Sequence, residues 1–528
     1  MGAGCFPVLS VLIYVPLLGA LILLFVRREH TTYIKGLTLV FSLIEFALSI
    51  PLYFYFDDKQ VGMQFVERAS WFPEWGISYL LGIDGISLLL ILLTTFLTVL
   101  CVLCSWRAIE TRVKEYYITF LFLETAMVGT LCALDLVLFY IFWELMLIPM
   151  YLLIGVWGGP KRVYAAIKFF LFTMAGSVLM LLAIFALYFQ FYKTTGAYTF
   201  DVLQLYNAHI PTNLQYWLFA AFALSFAIKV PMFPVHTWLP DAHTEAPTAG
   251  SVILAGVLLK MGTYGFLRFA IPLFPAAAHA AIPLISILAI IGIVYGALVS
   301  MMQPDLKRLI AFSSVSHLGY VMLGMFAFNM QGVEGSIYQM LNHGVSTGGL
   351  FLIVGMLYER RHTRMIADFG GLSTPMPIFA IFFMIVTLSS VALPGTNGFV
   401  GEFLILLGAF RANMLYGIIA TTGVVLGAVY MLWMFQRVMF GEVKKEENRK
   451  LRDLGKREVL ILCSIVFFIV LMGVYPKMFF KKMDTSVEGF LQFVKQRNAY
   501  YMAYEGSPVK VVLDITGTPG GSPGKPAE

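Results

Sequence analysis

Ionisable side chains interrupt several of the longest apolar runs of this 528-residue chain. The main set is Glu144, Lys229, Lys260, His317, His343 and Glu402. A charge among apolar groups inside a membrane is costly, so such residues usually serve a function. Carboxylates, lysines and histidines all exchange protons, and a proton path needs a series of such groups. The set therefore predicts proton transfer across a bilayer.

A second interpretation is that these side chains reach to an interface or form static ion pairs that only fix helix packing. This static interpretation fits Lys168 best, because Lys168 lies near the end of an apolar run. Lys168 and Glu124 are weaker candidates for the proton path than the main set. Lys229 and Lys260 have apolar neighbours on both sides in the sequence, and the histidines accompany several other buried charges. A polar path is therefore the favoured interpretation for the main set.

Proline and glycine break two of these runs beside a charge. Pro231 and Pro234 follow Lys229, and a Leu-Pro-Gly-Thr-Asn-Gly segment at residues 393–398 precedes Glu402. Proline removes a backbone hydrogen bond, and such gaps are tolerated at membrane depth only where protein or water satisfies the freed groups. Paired discontinuous helices are typical of a transporter's ion site.

The elements that position these residues must be membrane helices. Hydrophobic residues make up 59% of the chain and charged residues only 12%, against about 25% charged in soluble domains. Runs of roughly 18 to 25 apolar residues can each cross about 30 Å of hydrocarbon. We expect an all-α polytopic membrane protein with about 14 transmembrane helices. The predicted spans are residues 6–26, 33–55, 80–104, 117–134, 136–157, 165–190, 214–232, 248–270, 281–302, 308–328, 335–357, 376–410, 416–440 and 458–476.

The net charge of +6 comes from basic clusters in the loops after spans 1, 3, 5, 9, 11 and 13. Topology explains these clusters better than nucleic-acid binding, and the positive-inside rule places those loops in the cytoplasm. Both termini are then expected on the non-cytoplasmic side. Because Arg27 and Arg28 follow the first run, it reads as a transmembrane helix and not as a signal peptide.

Equal spacings predict an internal duplication. Lys229 to Glu402 is 173 positions (402 minus 229), and so is Glu144 to His317 (317 minus 144). We expect two five-helix repeats, helices 4–8 and 9–13, with discontinuous helices 7 and 12. An odd number of helices makes the repeats inverted in the membrane. The predicted divisions are 1–110 for helices 1–3, 111–272 and 273–442 for the repeats, and 443–528 for helix 14 and a surface segment.

The cysteines and the C-terminal segment are predicted to have structural roles, and the cysteines are not predicted to bind a metal. The cysteines lie in apolar stretches: Cys5, Cys101, Cys104, Cys132 and Cys463. The Cys101-Val-Leu-Cys104 spacing has no second pair to complete a zinc site, so all five are expected to be buried thiols. Residues 484–503 read as an amphipathic surface helix, and the Gly- and Pro-rich tail Gly506–Glu528 as disordered.

Several motifs resemble the antiporter-like subunit family of NADH-quinone oxidoreductase, respiratory complex I, in its subunit M or chain 4 branch. The resemblance covers roughly residues 80–440. The matching stretches are residues 142–149, 229–250, 258–265, 316–319 and 341–348. The related subunit L and antiporter proteins often have Lys near position 347, where this chain has Thr347.

The resemblance implies a role for each residue of the main set. Glu144 would pair with Lys229, Lys260 would be the central carrier, His317 and His343 would link the two halves, and Glu402 would stand at the exit. It also implies a bacterial inner-membrane complex, with subunits L and N and small membrane subunits as partners. The chain itself is expected to hold no cofactor, and NAD, flavin and iron–sulfur clusters are expected in partner subunits.

Three alternatives remain open from the sequence. One is a cation/proton antiporter subunit that works on ion gradients, and another is the membrane arm of a hydrogenase or formate-linked complex. The third is a scaffold whose charges are relics. The chain has no phosphate-binding glycine loop, Rossmann fingerprint or iron–sulfur cysteine pattern, so redox energy would have to come from partners.

Overall fold

Helices dominate the computed structural model, which describes residues 6–503. Cys5 and the tail Gly506–Glu528 lie outside the described residues. The helices are α1 Val8–Phe25, α2 Thr31–Tyr55, α3 Gly85–Ala108, α4 Val113–Cys132, α5 Leu136–Leu145, α6 Leu147–Trp157, α7 Arg162–Thr195, α8 Val202–Leu205, α9 Thr212–Lys229, α10 Trp238–Glu245, α11 Thr248–Ile253, α12 Leu259–Gly265, α13 Ile271–Leu273, α14 Pro275–Ala280, α15 Ile282–Met301, α16 Leu306–Met325, α17 Met330–Arg361, α18 Pro377–Ser390, α19 Asn397–Ala412, α20 Met414–Met439, α21 Glu446–Arg449, α22 Lys456–Val474 and α23 Lys477–Ala503.

Ten helical segments between residues 6 and 503 are long and apolar enough to cross a membrane, and they fall in ten of the predicted spans. The other predicted spans correspond to α4, α9, α16 and the divided pair α18 and α19. Helices α4 and α16 carry charges within or beside their apolar stretch, and a break separates α18 from α19. These helices are less apolar because they contain the charges and the break that a transport mechanism would use.

A β-hairpin precedes α3, so the all-α prediction is wrong at this point. Strand β1, Gln64–Phe72, pairs antiparallel with β2, Ile77–Ile83, and Arg68 lies opposite Leu80. The sequence predicts a third span from residue 80, because Leu80, Leu81 and Ile83 lead into the apolar start of α3. Gly76 turns the chain with φ +68°, where an added Cβ would collide with the carbonyl of Tyr198, and glycine adopts that conformation without strain.

The core of the molecule is made of helices that are buried on every side. The segment Thr248–Leu273, which contains α11 to α13, and helix α17 are the most completely enclosed of the candidate spans, followed by α3. Helices α1, α2, α7, α20 and α22 lie at the periphery, with much of their apolar surface exposed. Lys260 of α12 and His343 of α17 are therefore enclosed by protein.

The predicted surface helix is present and begins earlier than expected. Helix α23 starts at Lys477 and continues through the predicted residues 484–503. Lys482 bonds Asp58 at 2.6 Å, and Tyr53 donates a hydrogen bond to the carbonyl of Met478 at 2.8 Å. These contacts hold the helix against the end of α2 and the loop that follows it.

The cysteine prediction is partly wrong. Cys101, Cys104 and Cys132 are buried free thiols, whereas Cys463 is exposed on α22. Apolar character does not distinguish the interior from a lipid-facing surface, because both suit a small apolar side chain.

Candidate functional site

Lys260 lies at the centre of the molecule in an irregular helix. Its short helix α12 lies between two π-helical turns, Leu254–Leu258 and Phe266–Ala270. Such wider turns often mark functional sites, because they shift the backbone carbonyls out of their regular pairing. The buried ammonium donates a hydrogen bond to the carbonyl of Ala255, and Nζ lies 2.6 Å from His343 Nδ1. No residue pattern in the sequence predicts the π-turns.

His343 continues this arrangement from the middle of α17. Its ring centre lies 5.9 Å from that of His317, which is on α16. His343 Nε2 has no hydrogen-bond partner within residues 6–503, and a small polar cavity adjoins both rings. A polar site with room for roughly one water molecule could bridge two such rings. Thr347 is among the residues that line this cavity.

Glu402 completes the line on α19. Its Oε1 lies 2.9 Å from His317 Nδ1 and accepts a hydrogen bond from Gln339 Nε2 at 3.0 Å. The carboxyl is only 4% exposed. The structure therefore brings Lys260, His343, His317 and Glu402 together, in that spatial order.

The predicted break beside Glu402 is present between α18 and α19. Ala392 and Gly395 in this break have positive φ. Ser389 donates to Asn397 Oδ1 at 2.5 Å, and Asn397 Nδ2 donates to Ser346 Oγ at 3.1 Å. Polar side chains thus occupy the place where the helical hydrogen bonds stop, as burial of an interrupted helix requires.

The second predicted break directly follows Lys229, the last residue of α9. Regular α-helix resumes at Trp238, whose indole donates to the carbonyl of Ile228 at 2.9 Å. The two breaks were visible in the sequence as proline and glycine next to a charge.

The expected ion pair between Lys229 and Glu144 is not formed within the described part of the chain. Lys229 Nζ lies 5.2 Å from the centre of the Trp143 ring and 5.8 Å from that of Phe169, and Glu144 Oε1 has no hydrogen-bond partner. Successive residues on a helix point about 100° apart, and on this helix Trp143, the neighbour of Glu144, is the residue whose ring reaches the ammonium. Aromatic faces attract the cation in place of a carboxylate.

Helix packing holds Lys229 and Lys260 in neighbouring elements without a direct hydrogen bond. Gly262 of α12 lies against the end of α9, where an added Cβ would come 2.7 Å from the carbonyl oxygen of Phe226 and from Val230 Cγ2. The missing side chain allows this close approach. Lys229 is 3% exposed and Lys260 is 1% exposed.

Lys168 behaves as the static interpretation expects. Its ammonium lies 2.7 Å from Asp241 Oδ2, and Arg308 bonds the other oxygen of Asp241 at 3.2 Å. Partly exposed groups with fixed partners fit an anchoring role better than proton transfer.

Sequence reasoning missed two buried groups near the path. His243 stacks on Phe351 at 4.7 Å, and neither of its ring nitrogens has a partner in the described chain. Lys307 is also buried and donates to the carbonyl of Ala246. His243 lies inside a motif that carries the family resemblance, which was a usable signal. Lys307 looked like an ordinary loop cation because Arg308 follows it.

The candidate ion path contains no cluster suited to a metal. Within residues 6–503, no group of three or more His, Cys, Asp or Glu side chains is placed to hold a metal ion.

Comparisons with known proteins agree with the motifs. Residues 133–427 match the family model described as "NADH:quinone oxidoreductase/Mrp antiporter, TM", and residues 11–134 match "NADH-ubiquinone oxidoreductase chain 4, amino terminus". The chain is 49% identical to NADH-quinone oxidoreductase subunit M of Rhodobacter capsulatus, over 92% of this chain and 96% of the relative. It is 48% identical to NADH-ubiquinone oxidoreductase chain 4 of Marchantia polymorpha, over 92% of this chain and 97% of the relative. A chain of the structure "Respiratory complex I from Thermus thermophilus with bound NADH" superposes with a TM-score of 0.84 at 33% identity, over 92% of this chain and 99% of that one.

Proposed function

The chain belongs to the NADH-quinone oxidoreductase subunit M and chain 4 family, and from this premise we propose that it is a proton-translocating membrane subunit of that enzyme. The observation that carries the proposal is the buried line from Lys260 through His343 and His317 to Glu402. Each of these groups can hold a proton, and each lies close to the next. A scaffold would not need such a sequence of exchangeable groups.

The line supports a stepwise proton transfer. Lys260 hydrogen-bonds directly to His343, so a proton can pass from the ammonium to the imidazole. The polar cavity beside His343 and His317 leads to the second ring, and the His317–Glu402 contact leads to the exit carboxylate. Each step moves one proton between neighbouring groups, as general acid–base transfer requires.

Lys229 and Glu144 act as the entry switch. In one state Lys229 pairs with Glu144, and in the other it lies against the ring of Trp143, the arrangement seen in this structure. Movement of the ammonium between these positions changes the electrostatic potential at Lys260 and so favours proton uptake or release there. The break that follows α9 gives the end of this helix, which carries Lys229, freedom to move.

The proposed architecture has 14 spans and two inverted repeats, at residues 111–272 and 273–442. Equal separations support it: His317 and Glu402 are 85 positions apart (402 minus 317), and Glu144 and Lys229 are also 85 positions apart (229 minus 144). Of the two pairs, His317 and Glu402 are in contact. The helix break beside Lys229 in the first repeat and the one beside Glu402 in the second repeat also support this architecture. The inverted arrangement gives half-channels toward opposite faces.

The chain acts within a larger assembly in the bacterial inner membrane, with its termini on the non-cytoplasmic side. Moving one charge against 100 mV costs about 2.3 kcal/mol, so the energy comes from electron transfer between NADH and quinone in other subunits. Those subunits carry the flavin and iron–sulfur clusters, and this subunit has no redox centre of its own. Subunits L and N and small membrane subunits lie beside it.

Replacement of Lys260 by Ala tests this function. We expect both proton pumping and coupled NADH–quinone electron transfer to fall, while the complex still assembles. The matched control is Lys168→Ala, which removes a lysine that is paired with Asp241 away from the path and leaves both rates unchanged. Normal pumping in assembled Lys260→Ala complexes would show that the central carrier is assigned wrongly.

A further inference from the structure

An apolar cleft lies between α2, α3 and α22. Both α2 and α22 pack against α3, and the cleft between them has a volume of about 290 Å3, close to the lower end of the range of about 300–1,000 Å3 that is typical of ligand sites. Helix α2 has a buried inner face, which carries Glu45, and an outer face on which Ile50 and Phe54 are exposed. Ile50 and Phe54 line the cleft, so the cleft is open to the surroundings of the protein.

Apolar side chains form the walls and one closed end of this cleft. The ring centre of Phe96 lies 6.0 Å from that of Phe46 and 4.6 Å from that of Phe468. Tyr53 and Met478 line the other end, where the Tyr53 hydroxyl donates a hydrogen bond to the carbonyl of Met478 at 2.8 Å. That bond satisfies the hydroxyl, and a cavity without free polar partners stays dry. The cleft therefore suits an apolar occupant.

The length of the cleft matches one leaflet of a bilayer. It follows α2 from Phe46 to Phe54, eight residues (54 minus 46), which is about 12 Å at 1.5 Å per residue. One leaflet is half of a hydrocarbon core of about 30 Å. Exposed tyrosines, Tyr55 at the end of α2 and Tyr475 directly after α22, mark the open end. Because tyrosine is enriched at the level of the lipid headgroups, the cleft extends from that level into the apolar part of the leaflet.

Lysines of α23 make the headgroup end of the cleft positive. Lys477 precedes Met478, which lines the cleft, and Lys481 lies one turn further on the same side of the helix. Lys477 is exposed and forms no ion pair within residues 6–503, whereas Lys481 shares the carboxylate of Asp58 with Lys482. Three lysines and one aspartate give this group a net charge of +2. An anionic headgroup complements that charge.

We propose that the cleft binds one anionic phospholipid, with an acyl chain between α2 and α22 and the phosphate at Lys477 and Lys481. The chain meets only apolar walls, because its polar ester groups stay at the level of Tyr55 and Tyr475. The phosphate oxygens accept charge-assisted hydrogen bonds from the lysine ammonium groups. A zwitterionic lipid would bring its own cation close to the lysines, so a headgroup with a net negative charge binds better.

The bound chain completes the packing behind the centre of the molecule. Leu93 lines this cleft and also the narrow apolar space beside Lys260, so one side chain separates the two. Protein interiors contain few voids, and an acyl chain in the cleft fills the space on the far side of Leu93. The lipid site itself does not depend on the proposed proton path.

Photo-labelling of the assembled complex in vesicles tests this site. Phosphatidylglycerol with a diazirine near the end of one acyl chain is compared with phosphatidylcholine that carries the same chain. We expect the phosphatidylglycerol to label the peptides that contain Phe46 and Phe468 several-fold more strongly. Val425 on α20 is exposed and lies outside the cleft, so its peptide should be labelled equally by both lipids.

Charge variants test the headgroup site. Lys477→Gln combined with Lys481→Gln should remove the difference between the two lipids in the cleft. Lys495→Gln is the control, because Lys495 is an exposed lysine further along α23, and it should leave the difference intact. Equal labelling of the cleft by both lipids in the wild type would overturn the anionic headgroup.

A filled cleft tests the position of the chain. Ile50→Trp places a larger side chain in the cleft and should lower labelling of the Phe468 peptide several-fold. Ile44→Trp is the matched control, because Ile44 lies on the same helix, is 43% exposed against 38% for Ile50, and does not line the cleft.

The remaining outcomes also decide the matter. Labelling of the cleft that Ile50→Trp leaves unchanged would overturn the bound chain. Labelling of α20 without labelling of the cleft would show that another occupant, such as a helix of a partner subunit, fills it, and would overturn the lipid site. None of these results depends on pumping by Lys260→Ala, which tests the proposed function separately.

Discussion

Glu402→Gln removes the ionisable end of the buried line with almost no change in shape. The carboxylate accepts hydrogen bonds from His317 at 2.9 Å and from Gln339 at 3.0 Å. Hydrogen bonds to a charged group are each worth about 1.5–3 kcal/mol, and about 1.4 kcal/mol is a tenfold change in rate. Loss of the charge-assisted bond to His317 should therefore slow proton transfer roughly 10- to 150-fold.

The assay is the initial rate of proton uptake by inverted membrane vesicles, divided by the rate of NADH oxidation with the gradient collapsed. The content of assembled complex is measured in the same vesicles, so that loss of assembly is not mistaken for loss of transfer. Glu74→Gln is the control, because Glu74 is exposed in the turn of the hairpin and its amide should leave pumping unchanged. Pumping by Glu402→Gln within about twofold of the wild type would refute the reasoning, since the effect expected from charge-assisted bonding is at least tenfold.

Two further predictions concern packing and docking. Gly262→Val should destabilise the contact of α12 with Phe226 by about 1–3 kcal/mol through overpacking, which a lower unfolding temperature would show. Gly427→Ala on α20 is the control, because an added Cβ there meets nothing within 4 Å, and it should be neutral or stabilising. Equal effects of the two substitutions would contradict the close approach of α12 to Phe226. Burial raises the pKa of Asp58, but its bonds to Lys482 and Lys481 outweigh this and leave the pKa lowered. The pairing therefore stabilises α23 above the unfolded pKa near 4, and this contribution disappears as the pH falls through the lower folded pKa. Asp58→Asn should accelerate hydrogen exchange in α23 at pH 7 and lose this difference at low pH, and identical exchange at pH 7 would show that the pair does not hold the helix.

Much of the fold could be read from the sequence because the membrane imposes simple length and polarity rules. Ten predicted spans match helices able to cross a bilayer, and the breaks after Lys229 and before Glu402 were marked by proline and glycine. The hairpin at Gln64–Ile83 was missed because β2 merges into the apolar start of α3. Glu45 carried the same signal as the main set, an acid inside an apolar run, and could have been found by the same rule.

The sequence by itself determined which groups are ionisable and buried in apolar surroundings, because solvation depends on residue type and on the neighbouring run of residues. Only the tertiary structure decided which of these groups touch. Lys260 contacts His343 and His317 contacts Glu402, while Lys229 lies against Trp143 and not Glu144. The physical reason is rotation about the helix axis: one residue step turns a side chain by about 100°, so the packing of one helix on another selects which of two adjacent residues reaches a given partner.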